Sequence, residues 1–200
     1  MPRLILASAS PRRAELLSQT GIGFSVRPAD IDEAVVPGES PADYVERLAR
    51  EKALAIAKAE PRAVVLGSDT TVVLDGAILG KPGSVEEAEA MLTRLSGQTH
   101  QVMTGIAVAA GQQCRSDRVI TEVTFRVLSR GEIRAYVATG EPMDKAGAYG
   151  IQGLGGVFVA HLKGSYSSVV GLPLYETARL LSHVGYEVWH YWPGRQEDQA

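Results

Sequence analysis

The run AVVLGSDTTVVLDGAIL, residues 63–79, limits the possible folds more than any other stretch of this chain. It contains two β-rich runs hinged at Asp75-Gly76, a pair suited to a two-residue hairpin turn, so an antiparallel hairpin is expected there. Near the start, the apolar residues 4–7 read as a short buried strand, after which Ser10 as N-cap and Pro11 at the first helical position open a helix closing near Gly21. A hairpin and a strand-loop-helix unit in one chain call for a mixed sheet.

The remaining punctuation agrees. Ser40 and Pro41, with Asp43 three residues after the cap, begin a longer helix ended by Pro61. Ser84 with Glu87 and Ser129 with Glu132 form capping-box patterns for two further helices, stopped by Gly97 and Gly140. Residues 100–110 and 116–128 read as long strands joined through GQQCR, residues 156–162 as another, and Pro173 starts a helix to about His183. A last strand is expected near EVWHY, and residues 194–200 read as a flexible tail. The reading is α/β, one domain over residues 1–200, with a mixed sheet flanked by helices.

Charge narrows the function classes. Twenty Lys and Arg against 23 Asp and Glu leave a net charge of −3, so no global field draws the chain to nucleic acid or to an anionic membrane, and any anion site must be local. The one cysteine, Cys114, excludes an internal disulfide framework and a multi-cysteine zinc site. No apolar run approaches the roughly 18 to 20 residues of a membrane span, and no signal-peptide core opens the sequence, so a soluble, cytoplasmic protein is expected. The glycines match neither G-x-G-x-x-G nor G-x-x-x-x-G-K-[ST], and H-E-x-x-H and G-x-S-x-G are absent.

Several polar residues break the local pattern. Arg12 and Arg13 stand in the first turn of a helix, where cations oppose the macrodipole at a cost of about 0.3–1 kcal/mol, unless an anion docks there or Arg12 pairs with Glu15. Lys52 falls on the apolar stripe Val45, Leu48, Ala49, Ala53, Ile56, either snorkelling from its edge or serving the interior. Ser68, Asp69 and Thr70 interrupt what would be a continuous buried strand. Asp69 there needs a compensating cation, a metal or an edge location, unless it caps a turn at a bulge or strand end. Lys81 is held on the stiff Gly80-Lys81-Pro82 segment. Asp32 and Glu33 could ligate a hard metal, and the glycines of DKAGAYGIQGLGG suit either close backbone approach to a ligand or a flexible loop. Arg12, Arg13, Lys52 and Lys81 with Glu33 and Asp69 could neutralise a polyphosphate while holding a divalent ion, which is the chemistry of phosphoryl-group cleavage.

At LASASPRRAELL, DIDE, YVERLAREKA, GSDTTVVLDG, GKP, LSGQTHQVMTG, DKAGAYGIQGLGG and GSYSSVVGLPL the sequence resembles the Maf family of nucleoside triphosphate pyrophosphatases over nearly its whole length. The resemblance implies an elongated mixed sheet with two lobes around a cleft, as in inosine triphosphate pyrophosphatases, and a homodimer. It implies hydrolysis between the α and β phosphates with a divalent cation, Mg²⁺, Mn²⁺ or Co²⁺. By position, Asp69 matches the catalytic acid, Glu33 and Asp69 the metal ligands, and Ser8, Arg12, Arg13, Lys52 and Lys81 the phosphate site. Arg12, Thr70 and Gln152 match the branch acting on dTTP and UTP rather than the one preferring 7-methyl-GTP. A glutamine amide offers the donor and acceptor that the edge of uracil or thymine requires. The SYSS before VVGLPL departs from many relatives. Two other readings stay open: a rival enzyme, a pyrophosphatase for deaminated or damaged purine nucleotides, and a protein of a different class, a non-catalytic, nucleotide-binding regulator of septum formation.

Overall fold

The computed structural model describes residues 2–192, so the tail expected at 194–200 lies outside the described residues. Local cap chemistry places the helices. Ser40 Oγ accepts from Asp43 N at the start of α2 (Pro41–Ala59), and Ser129 and Glu132 complete a reciprocal box at α4 (Arg130–Val137). At α3 (Val85–Leu95) the box is only half formed. Ser84 caps Glu87 N as expected, but the Glu87 carboxylate accepts from Gly83 N at 2.7 Å rather than from Ser84 N. At α1 (Pro11–Ser18), Ser10 is extended and makes no side-chain cap, so among the described residues no side chain occupies the first free N–H groups. Two short helical elements near the end, α5 (Tyr166–Val170) and α6 (Leu174–Ser182), flank the GLP sequence.

Among the described residues seven strands form one mixed sheet: β1 (Leu4–Leu6), β2 (Phe24–Val26), β3 (Val64–Leu74), β4 (Ala77–Leu79), β5 (Thr99–Ala110), β6 (Gln113–Phe125) and β7 (Val159–Lys163). Their order is β2-β1-β3-β5-β6-β7, with β4 also on β3; β1 pairs in parallel with β2 and β3, and every other pairing is antiparallel. Asp75 and Gly76, at φ 51° and 77°, close the β3–β4 hairpin as a type I′ turn requires. The turn between β5 and β6 is tighter than GQQCR suggests, because Gln113, Cys114 and Arg115 already pair with Ala110, Ala109 and Val108.

Two expectations are corrected. EVWHY does not form a strand: Val188–Tyr191 is a 3-10 turn that pairs with none of the described strands, so its aromatic and β-branched content does not suffice. The strand expected over residues 156–162 starts only at Val159, because Leu154–Phe158 turns as a 3-10 segment.

The pairing of β3 decides where the site lies. On one edge β5 covers Val64 to Val73 without a bulge. On the other, β1 covers Val64–Leu66 and β4 covers Val72–Leu74, so the intervening residues, Asp69 among them, have no strand neighbour on that side among the described residues. The cleft opens through this gap. Two apolar packings frame it: Val72, Leu74, Leu92, Phe125 and Ile133 under α3 and α4, and Leu4, Leu6, Leu17, Leu66, Ile106 and Leu181 with α1 and α6. Across the sheet, α2 packs on Ile5, Val65, Ala107 and Ala109.

Candidate active site

Alternation along β3 sends Ser68 and Thr70 to one face and Asp69 to the other. On the Asp69 face α2 lies unusually close. A Cβ on Gly67 would stand 2.2 Å from the Ala49 carbonyl oxygen, and one on Gly105, the cross-strand partner of Asp69, 2.2 Å from that of Val45. Only glycine permits this contact, and the contact delivers Lys52 to Asp69.

Lys52 does not snorkel. It is buried, 7% exposed, and its Nζ donates to Asp69 Oδ1 at 2.7 Å and lies 2.7 Å from Glu33 Oε1. Asp69 is likewise buried, in mid-strand rather than at a bulge or strand end, so both plain structural readings of these residues fail. Glu33 comes from a loop held on α2: Tyr44 Oη donates to the Glu33 carbonyl at 3.0 Å, and Arg47 bonds Glu39 and the Ala34 carbonyl. Burial alone would raise the Glu33 pKa, but the hydrogen bond from Lys52 and the charges of Lys52, Lys81 and Arg13 hold it below the ordinary carboxylate range.

On the other face Arg13 is fixed by neutral partners. Its Nε donates to the Gly171 carbonyl at 2.8 Å, one terminal nitrogen to Ser8 Oγ at 3.2 Å and the other to Thr70 Oγ1 at 3.1 Å. Because Thr104 donates to the Ser168 carbonyl, the proton between the threonine hydroxyls belongs to Thr70, giving a directed chain Arg13 to Thr70 to Thr104 to Ser168. Burial, reinforced by the neighbouring charge of Arg12, lowers the Arg13 pKa against the pull of Asp69 and Glu33. Arg12 pairs with Asp144 at 3.6 Å rather than with Glu15.

Ser8, Arg12, Arg13, Glu33, Lys52, Asp69, Thr70, Lys81 and Gln152 all line one cleft of about 850 Å³. Sequence reasoning missed Tyr44, Glu141, Asp144, Lys145 and Tyr149 on the same walls; for Asp144, Lys145 and Tyr149 the glycines of DKAGAYGIQGLGG were the one signal that a wall lay there. Pairing leaves a surplus of positive charge. Lys52 is matched by Glu33 and Asp69, and Lys145 by Asp144, whereas Arg13 and Lys81 have no carboxylate within 4.0 Å among the described residues. With the uncapped start of α1, this wall suits an anion carrying several phosphate oxygens.

Among the described residues no group of three or more His, Cys, Asp and Glu converges on a metal position. Glu33 and Asp69 nevertheless bring two carboxylates to one point, marked by the Lys52 ammonium, at the cleft wall. Two hard oxygen donors fit a divalent ion of the magnesium type, which takes one or two carboxylates and completes its shell with water and substrate phosphate.

These features define a mixed α/β protein with a polyanion-accepting cleft built around paired carboxylates. The chain belongs to the Maf family: the model for Maf-like proteins matches residues 3–184. The dTTP/UTP pyrophosphatase of Hahella chejuensis is 55% identical over 190 residues, covering 94% of each chain. That of Pseudoalteromonas atlantica is 56% identical over 186 residues, 90% of this chain and 96% of its own, and that of Myxococcus xanthus 58% over 182 residues, 91% and 92%. Among solved structures, the dITP/XTP pyrophosphatase of Mycobacterium abscessus aligns with 96% of this chain and 99% of its own at 14% identity and a TM-score of 0.46. No helix among the described residues is long and apolar enough to cross a membrane.

Proposed function

We propose that this chain is a nucleoside triphosphate pyrophosphatase that hydrolyses dTTP and UTP to the nucleoside monophosphate and pyrophosphate. The observation that carries the reading is the Glu33–Lys52–Asp69 cluster, with a 2.7 Å contact on each side of Lys52, in a cleft whose remaining cations are left for a ligand. Relatives at 55 to 58% identity carrying that name support the choice of substrate.

In the proposed mechanism Arg12, Arg13, Lys81 and the first N–H groups of α1 hold the triphosphate. Among the described residues Asp69 Oδ1 is taken by Lys52 while Oδ2 has no hydrogen-bond partner, and Oδ2 is the atom placed to orient a water and take its proton. The water oxygen bonds to the α-phosphorus, the α–β bridging bond breaks, and its electron pair leaves with pyrophosphate. Lys52 compensates the charge of both carboxylates and the charge developing on the α-phosphate. Glu33 and Asp69 would hold a divalent cation, which when bound acidifies water and neutralises phosphate charge. Gln152 would read the O4 and N3–H edge of the base. We place the enzyme in the cytoplasm as a homodimer.

Rates on dTTP, UTP, ITP and 7-methyl-GTP with Mg²⁺, for the native enzyme and Asp69→Asn, test this reading. Turnover of dTTP and UTP above both purine nucleotides, lost in the variant with the fold retained, is expected. Faster turnover of a purine nucleotide overturns the substrate assignment, and a fully active variant overturns the role of Asp69.

A further inference from the structure

Gln152 is exposed on a short turn, Gly150 to Gly153, closed by a 3.2 Å bond from Gly153 N to the Gly150 carbonyl. Such a turn would ordinarily be mobile. Here it is tied down at both ends by two side chains from the α4 region. Gly150 N donates to Tyr136 Oη at 3.1 Å, and Tyr136 Oη in turn donates to Glu141 Oε1 at 2.8 Å. Past Gln152, Leu154 N donates to Glu141 Oε2 at 2.9 Å and Gly155 N to Oε1 at 3.1 Å.

The fit is tight. A Cβ on Gly153 would stand 2.5 Å from both Glu141 carboxylate oxygens, and one on Gly155 2.7 Å from Tyr136 Oη. The Glu141 carboxylate thus spends its acceptors on one hydroxyl and two backbone N–H groups, which removes it as a free ligand for substrate or metal although it lines the cleft. Charge-assisted bonds of this kind are about twice as strong as neutral ones, and they bear on the segment carrying Gln152 rather than on the phosphate site.

We propose that Glu141, acting with Tyr136, is a positioning residue for base selection, fixing the turn that presents Gln152 to the nucleobase. This rests on the reading of Gln152 as the base-contacting residue. It separates two tasks by place: the Arg13, Lys52 and Asp69 side acts on phosphate, and the Glu141 frame sets which base is accepted.

Steady-state kinetics of Glu141→Ala, Glu141→Gln, Tyr136→Phe, Gln152→Ala and the double variant Glu141→Ala/Gln152→Ala, with dTTP and dATP, test it. For Glu141→Ala, KM for dTTP is expected to rise about tenfold, the equivalent of one to two lost hydrogen bonds, while kcat stays within about threefold and the dATP constants hold. Glu141→Gln, which keeps one acceptor oxygen, should recover part of the loss. The double variant should be no worse than the worse single one, because both changes remove the same contact. A Glu141→Ala enzyme that loses kcat equally on both nucleotides, or a double variant whose losses add in full, overturns the inference while leaving Gln152 its role. An unchanged dTTP to dATP ratio in Gln152→Ala overturns the base-reading role itself and the inference with it. Should Glu141→Ala fail to fold, unchanged KM values for dTTP in both Glu141→Gln and Tyr136→Phe overturn the inference.

Discussion

The Lys52 ammonium lies 2.7 Å from Asp69 Oδ1, although the two residues belong to a helix and a strand whose facing surfaces are otherwise apolar. Two glycines make the contact possible. Without side chains at Gly67 and Gly105, α2 settles onto the sheet far enough for a lysine on its buried stripe to reach a carboxylate in mid-strand. The pair survives burial because Glu33 supplies the second partner of the ammonium and the cleft leaves part of each carboxylate facing solvent.

Gly67→Ala tests that geometry. Its Cβ would enter the space of the Ala49 carbonyl, at 2.2 Å, so α2 must move off the sheet and take Lys52 with it. A loss of about 1–3 kcal/mol in urea unfolding, with a fall in turnover, is expected. An alanine variant as stable and active as the parent would show that this close approach is dispensable.

Arg13→Lys should not behave as a conservative change. Three nitrogens of the guanidinium serve Gly171, Ser8 and Thr70 in different directions, and one ammonium cannot reproduce that fork. A fall in kcat/KM of about tenfold or more is expected, alongside a stability loss near 1 kcal/mol. Kinetics and thermal melting on the same preparations check both.

Glu33→Gln removes one carboxylate from the proposed cation site while keeping its shape. The Mg²⁺ concentration giving half-maximal activity should rise, and excess EDTA should abolish activity of the native enzyme, with added Mg²⁺ restoring it. Full activity in EDTA would remove the divalent ion from the mechanism. The depressed Glu33 pKa means the carboxylate is already ionised across the neutral range, so the metal requirement should not reflect its titration there.

His100 ties stability to pH away from the cleft chemistry. It is 2% exposed, Nε2 bonds Tyr149 Oη at 2.8 Å, Nδ1 has no partner among the described residues, and burial brings the imidazole down to about 4 from 6.5. Between those values the unfolded chain binds more protons than the folded one. Its contribution is therefore complete above pH 6.5 and is lost as pH falls toward 4, by about 3 kcal/mol in all. Urea midpoints over that range should fall steeply for the native protein and less steeply for His100→Gln; parallel curves would exclude His100 as the cause.

Local chemistry made much of the fold legible. The Asp75-Gly76 turn, the Ser129–Glu132 box and the Ser40 cap are interactions within four residues, and the chain states them directly. Lys52 and Asp69 were visible as polar residues where the pattern demanded apolar ones. What joins them was not visible, because the pairing that sets Gly105 beside Asp69, and the gap that β1 and β4 leave on the other edge of β3, are made between segments distant in sequence. Glu141 escaped for the same reason: it follows Gly140 and precedes Pro142, an unremarkable loop context, and its partners Leu154 and Gly155 lie 13 and 14 residues on. Val188–Tyr191 shows the converse, a strand-like composition in a segment that turns as a 3-10 helix and pairs with none of the described strands.

In the proposed reaction water attacks the α-phosphorus at Asp69. Hydrolysis of dTTP in ¹⁸O-labelled water, with both products resolved by mass spectrometry, tests it most directly. The label is expected in dTMP, with unlabelled pyrophosphate as the other product. Label in pyrophosphate, or release of dTDP and inorganic phosphate, would contradict it.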